Sequence, residues 1–203
     1  MEKETARIEA FSDAVFAIAI TLLILDLHVP LRTQEGGSFL LQKLADEWPS
    51  YLAFTLSFFS IFIMWVNHHK LFKQIYKRNT ALMFANGIIL FLATCISYPT
   101  ALLARYYDSD SREVVVAIYT SLFVIINLAF NLLWWIASRN MELLRPEMTT
   151  QLIKGIRNNY LRGVPIHLLA FGLSFFFPAA ALMLCAGLWT YWAFTSGKLE
   201  ITN

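Results

Sequence analysis

The chain has 203 residues, 58% of them hydrophobic and only 15% charged, with a formal net charge of +2. A soluble domain of this length needs far more charge to cover its surface, and its apolar runs are long enough to cross a bilayer, where roughly 20 helical residues span the hydrocarbon. The runs lack the alternation of barrel strands, so they read as about six helices with short loops and no soluble catalytic domain.

In chain order, the first span runs from about Ile8 to Val29 and stops at Pro30. The stretch from Ser38 to Trp48 reads as a short amphipathic helix lying on the outer surface. The second span covers Tyr51 to about His69, the third about Ala81 to Leu103, and the fourth about Val114 to Ala137. The fifth and sixth, about Leu161 to Phe177 and Ala179 to Phe194, form a tight hairpin broken at Pro178. The expected fold is all-α: a polytopic membrane protein of six transmembrane helices, one unit over residues 1–203. Trp48, Tyr51, Tyr106, Tyr107, Trp134, Trp135, Trp189, Tyr191 and Trp192 cluster near span ends, as an interfacial aromatic belt does. Cys95 and Cys185 sit inside apolar runs without metal-ligand spacing and are expected as buried free thiols. The first run is longer than a signal-peptide core and no small-residue cleavage site follows it, so no cleavable signal is expected.

Basic residues fall unequally on the two sides. Lys3, Arg7, Lys70, Lys73, Lys77, Arg78, Arg139, Arg145, Lys154, Arg157, Arg162 and Lys198 share one side, and only Arg32, Lys43, Arg105 and Arg112 occupy the other. The positive-inside rule then places both termini in the cytoplasm and the chain in the cell (inner) membrane. Asp26, Glu35, Asp46, Glu47, Asp108, Asp110 and Glu113 make the outer mouth mildly acidic. That charge is either ordinary loop solvation or a means of concentrating cations.

The first span carries the unusual chemistry, with Arg7, Ser12, Asp13, Thr21, Asp26 and His28 on one hydrophobic helix. Ionisable groups in a membrane helix face a cavity or a partner. On a helical wheel Ile18, Leu22, Leu25 and Val29 form one stripe, continued by Ala14 and Phe11, with Thr21 at its margin and Asp13 roughly opposite. Such a stripe packs on a neighbour or lipid, or faces a pore. The second span ends with Trp65, Asn67, His68 and His69 at the depth of Asp13. A hydrogen-bonded cluster of Asp13, Ser12 and one of these histidines would lock the two helices together. His68 and His69 point in different directions and make no metal or haem site by themselves.

Arg7-Ile8-Glu9-Ala10-Phe11-Ser12-Asp13 matches an RxxxFSD signature at the start of a membrane helix. Together with Trp65-Val66-Asn67-His68-His69 it resembles the transmembrane protein 175 family of potassium channels, in its prokaryotic form with one six-helix unit. The resemblance implies a homotetramer around a central pore lined by the first helix, without a re-entrant pore loop, and this sequence has no TVGYG-like segment. It implies a hydrophobic gate at Ile18, further apolar rings at Leu22 and Leu25, and a hydroxyl layer at Thr21. Arg7, Phe11, Ser12 and Asp13, with Trp65, Asn67 and His68, would be structural. The implied function is passive K+ conduction, with K+ the permeant ion, lipid and other copies of the chain the partners, no cofactor, no metal and no nucleic acid.

Three other readings compete: a secondary transporter, a membrane enzyme, and an assembly or sensor protein with no transport. A proton-coupled secondary transporter would use Asp13 or Asp26 with a histidine, and such folds show paired repeats and helices broken at the midplane. Most prolines here sit at helix ends, with Pro99 and Pro165 the exceptions. A proton channel is a close variant of the first reading. An enzyme is not expected, since no nucleophile–base pair, HExxH or phosphate-binding glycine loop appears.

Overall fold

The computed structural model describes residues 4–27 and 37–195, apart from the side chains of Ser38 and residues 193–195. The expected end of the first span at Val29 and Pro30, His28, and the charges Lys3, Arg32, Glu35 and Lys198 lie outside the described residues. Every regular element among the described residues is a helix.

The first helix, α1, covers Ala6–Leu22 and tightens into one 3-10 turn over Leu23–Asp26. The short α2, Gly37–Asp46, stands where the amphipathic helix was expected, with Leu40 and Leu41 exposed and Phe39 and Leu44 half-buried. Trp48–Phe72 forms α3, with Pro49 in its first turn, where a missing N–H leaves no bond unmade. The Asn79 side chain caps α4, Thr80–Cys95, by accepting the Leu82 amide at 2.8 Å.

The third expected span is two helices in sequence, since α5, Ser97–Tyr106, follows α4 after a break at Ile96. Pro99 explains the break: it has no N–H to offer the Cys95 carbonyl, and its ring crowds that turn. Thr100 shores up the joint, its amide and hydroxyl both donating to the Ile96 carbonyl at 3.1 and 2.7 Å. The long α6, Arg112–Arg139, leads through a 3-10 turn at Met141–Leu143 to α7, Thr150–Leu173, and α8, Pro178–Thr195. The segments Ala6–Asp26, Trp48–Phe72, Thr80–Tyr106 and Arg112–Arg139 are long and apolar enough to cross a membrane. α7 begins eleven residues before Leu161, because hydropathy marks the hydrocarbon-crossing part of a helix and not its polar turns.

α6 runs through the core. Tyr119, Phe123, Phe130, Leu133 and Trp134 are all buried, and the Trp134 indole donates to the Ile153 carbonyl of α7 at 3.3 Å. Trp134, Trp189 and Tyr107 are buried within the subunit and so do not face the membrane interface as belt residues would. Trp134 turns inward while Trp135, one residue on, is exposed, since neighbours on a helix point about 100° apart. Of the two free thiols, Cys185 is buried and Cys95 half-buried. At one end, the segments after α3 and after α6 are stitched together. Tyr76 N–H donates to Leu143 O at 2.7 Å and Arg145 N–H to Gln74 O at 3.0 Å, around the fully buried Ile75.

Gly163 lies where α7 meets α6 and α8. A Cβ there would overlap the Asn127 amide and the Trp192 ring, whereas one on Gly172 would meet nothing. Gly163→Ala should therefore destabilise the fold by about 1–3 kcal/mol through overpacking. The melting temperature of the detergent-solubilised protein reads this out, with Gly172→Ala as the neutral control.

Candidate functional site

α1 has two faces of opposite character. Ile8, Ser12, Phe16, Ala19 and Leu23 recur at helical spacing and are buried against α3 and α4. Phe11, Ile18, Leu22 and Leu25 are 64, 57, 49 and 74% exposed, against 1% for Phe16. Ala14, Ala17 and Thr21 share that outer side. A single chain thus leaves a continuous apolar face with nothing on it, and such a face belongs against lipid, another chain or a dry lumen.

The polar groups of α1 lie on and beside the buried face. Ser12 is fully buried and donates to the Ile8 carbonyl at 2.8 Å. Its oxygen accepts from Asn86 Nδ2 of α4 at 3.0 Å. Asn86 Oδ1 in turn lies 2.7 Å from His68 Nε2 of α3. An amide oxygen can only accept, so His68 donates from Nε2 and the bonds run in one direction: His68 to Asn86 to Ser12 to the α1 backbone. The imidazole is wedged between Phe16, edge-on at 5.3 Å, and Phe72, stacked at 4.4 Å. Three helices meet at this one buried amide.

Asp13 sits at the rim of that face, half-buried, and its Oδ1 accepts the Trp65 indole N–H of α3 at 2.8 Å. The expected joining of Asp13, Ser12 and a histidine is thus divided. Asp13 takes Trp65, and Ser12 reaches His68 only through Asn86. Asn86 was not among the candidate residues, although a lone amide in the apolar run Phe84-Ala85-Asn86-Gly87-Ile88-Ile89 should have prompted a search for its partner.

The remaining candidates are placed elsewhere. Arg7 and Phe11 are exposed on the outer side of α1 and do not join the Ser12 network. Asn67, one residue before His68, is buried on another side of α3. It faces a cavity of about 30 Å³ that it shares with Asn127, Tyr160 and His167. The Thr21 hydroxyl is exposed and lies 3.0 Å from both the Ala17 and Ile18 carbonyls of its own helix. Its proton is thereby engaged, which leaves oxygen lone pairs for whatever stands in front of it. Among the described residues no cluster of three His, Cys, Asp or Glu side chains is placed to hold a metal ion.

Comparison with known proteins points to one family of ion channels, whose bacterial members are named potassium channels and whose animal members are named proton channels. The family described as "Endosomal/lysosomal potassium channel TMEM175" matches residues 7–97, which include α1, the Trp65 and His68 turn of α3, and Asn86. A potassium channel of Chamaesiphon minutus is 40% identical over 195 residues, covering 96% of each chain. A potassium channel of Streptomyces collinus is 42% identical over 173 residues, 85% of this chain and 83% of that one. The crystal structure of a lysosomal potassium-selective channel TMEM175 homolog from Chamaesiphon minutus superposes with a TM-score of 0.85 at 40% identity, over 95% of this chain and 97% of that one.

The anchor has a measurable consequence. Asn86→Ala removes two interhelical hydrogen bonds and should cost about 1–2 kcal/mol, since each averages about 0.6 and reaches about 1.7 kcal/mol. Ser12→Ala should then add less in that background than in the wild type, because the shared bond is already gone. Thermal unfolding of the two single variants and the double variant reads the coupling, and strictly additive losses would assign the Ser12–Asn86 bond no weight.

Proposed function

The chain belongs to the TMEM175 family, and from that membership and the two-faced α1 we propose that it is a potassium channel, passing K+ passively through a central pore lined by the first helix of each subunit. The observation that carries the reading is the geometry of α1. Its polar side is satisfied within the subunit, and Ile18, Leu22 and Leu25 project away from it. Four copies around a common axis give that apolar side a place to converge. Residues 1–203 form one six-helix unit, with both termini cytoplasmic in the cell membrane. No cofactor takes part.

Ile18 forms the constriction and Leu22 and Leu25 the rings beyond it. A narrow ring of aliphatic side chains excludes water and with it any ion, because a cation cannot shed its hydration for hydrocarbon. Thr21, between Ile18 and Leu22 along the helix, offers oxygen where the wall is otherwise apolar. Its hydroxyl proton is already donated to the α1 backbone, so the lone pairs suit a cation and not an anion. Opening requires the first helices to splay or rotate, widening the ring until water enters. Ser12, Asp13, Trp65 and His68, with Asn86, hold α1 in register as scaffold. Arg7 and Phe11 stand on the exposed side of α1 and Asn67 faces the cavity toward α6 and α7, so these three take no part in that scaffold. The acidic residues of the outer side add a modest attraction for cations, screened over about 8 Å at physiological salt.

Cation flux into liposomes holding the purified chain tests this. Wild-type protein should pass K+ faster than Na+, without a proton gradient. Ile18→Asn should raise K+ flux severalfold by wetting the constriction. Flux that needs a proton gradient and saturates would instead select the proton-coupled transporter.

A further inference from the structure

The end of α6 and the start of α7 enclose an open pocket of about 470 Å³ that conduction does not use. Its cations come from both helices: Arg139 from the last turn of α6, and Lys154 and Arg157, one turn apart on α7. Trp135, Met141 and Ile153 supply an apolar floor, and Ser138 and Thr150 supply hydroxyls. None of the residues lining it is acidic. The Arg139 guanidinium lies over the exposed Trp135 ring at 5.2 Å, which holds the cation at the pocket mouth.

An apolar track leads away from the pocket. Ile125, Leu128, Leu132 and Trp135 recur at spacings of three and four along α6, and each is exposed. They make one stripe that starts deep in the span and ends at the three cations. Three positive charges at one end of a hydrocarbon track match an amphipathic anion, with its phosphate at Arg139, Lys154 and Arg157 and its acyl chain along the stripe. A free phosphate would use the cations but not the stripe. We propose that this pocket binds the headgroup of an anionic phospholipid, such as phosphatidylglycerol, from the leaflet that α6 and α7 enter there. Guanidinium groups suit the task because they pair with phosphate oxygens in a fixed fork, and Lys154 adds a point charge. The bound lipid would staple α6 to α7 where the 3-10 turn at Met141–Leu143 joins them. This site goes beyond ion conduction and does not depend on it.

Native mass spectrometry of the purified full chain, titrated with phosphatidylglycerol or phosphatidylcholine, tests the site. The wild type should retain phosphatidylglycerol in preference to phosphatidylcholine. Each cation removed should weaken that binding about fivefold, the effect of one basic residue at a lipid surface. Lys154→Gln with Arg157→Gln should therefore lose most of the bound lipid, while Lys77→Gln, exposed but outside the pocket, should leave it unchanged. Arg139→Gln alone gives the same readout should the double variant not purify. Equal retention in the pocket variants and the wild type would overturn the proposal, as would equal weakening by Lys77→Gln. Displacement of the lipid by millimolar inorganic phosphate would show a site for free anions instead, and would also overturn it.

Discussion

A polar group inside a membrane must find its partner within the protein, and α1 meets that requirement on one side only. Ser12 and Asp13 commit that side to α3 and α4 through Asn86, His68 and Trp65. Each bond is modest, with interhelical hydrogen bonds in membranes worth about 0.6–1.7 kcal/mol. The alternative is costlier. Turning α1 by one residue would take Asp13 off the indole and leave an acid without a partner inside the span, where ionisable groups are costly. The Asp13–Trp65 and Ser12–Asn86 bonds are lost together in the wrong rotation, so the helix has a single favoured orientation.

That orientation decides what the other side of α1 presents. With Phe16, Ala19 and Leu23 packed inward, Ile18, Leu22 and Leu25 have no place in the subunit core. The apolar outer face is thus a consequence of the polar anchor, and function is built on a surface that the fold leaves open. The break between α4 and α5 serves the same frame. Asn86 sits on the straight lower half, and the irregular joint at Ile96 and Pro99 is kept more than two turns away from it.

Much of this could be read from the residues alone, because membrane helices announce themselves by length and apolarity. The α1 stripe followed from a spacing of 3.6, and the polar contact between the first two spans from the rarity of Asp in hydrocarbon. What could not be read was the identity of partners. Asp13 had several donors at a similar depth, and only the fold shows that α3 turns Trp65 toward it. His68 and Asn67 are adjacent in sequence, yet the helix points them about 100° apart, one toward α1 and α4 and the other into a cavity toward α6 and α7. Asn86 was legible as a buried amide in want of a partner, but not as the joint of three helices. Trp134 and Trp135 show the same limit, since composition places both in a belt and only the rotation of α6 separates the buried one from the exposed one.

The central claim is that the outer stripe of α1 faces a water-accessible axis shared between subunits. Its most direct test is thiol modification during conduction, in a background lacking Cys95 and Cys185. A cysteine at Leu25 should react with a cationic methanethiosulfonate reagent and block K+ current, while a cysteine at Phe84, on the exposed side of α4, should leave the current unchanged. Modification at position 25 that leaves the current intact, or block from position 84 alone, would contradict the account.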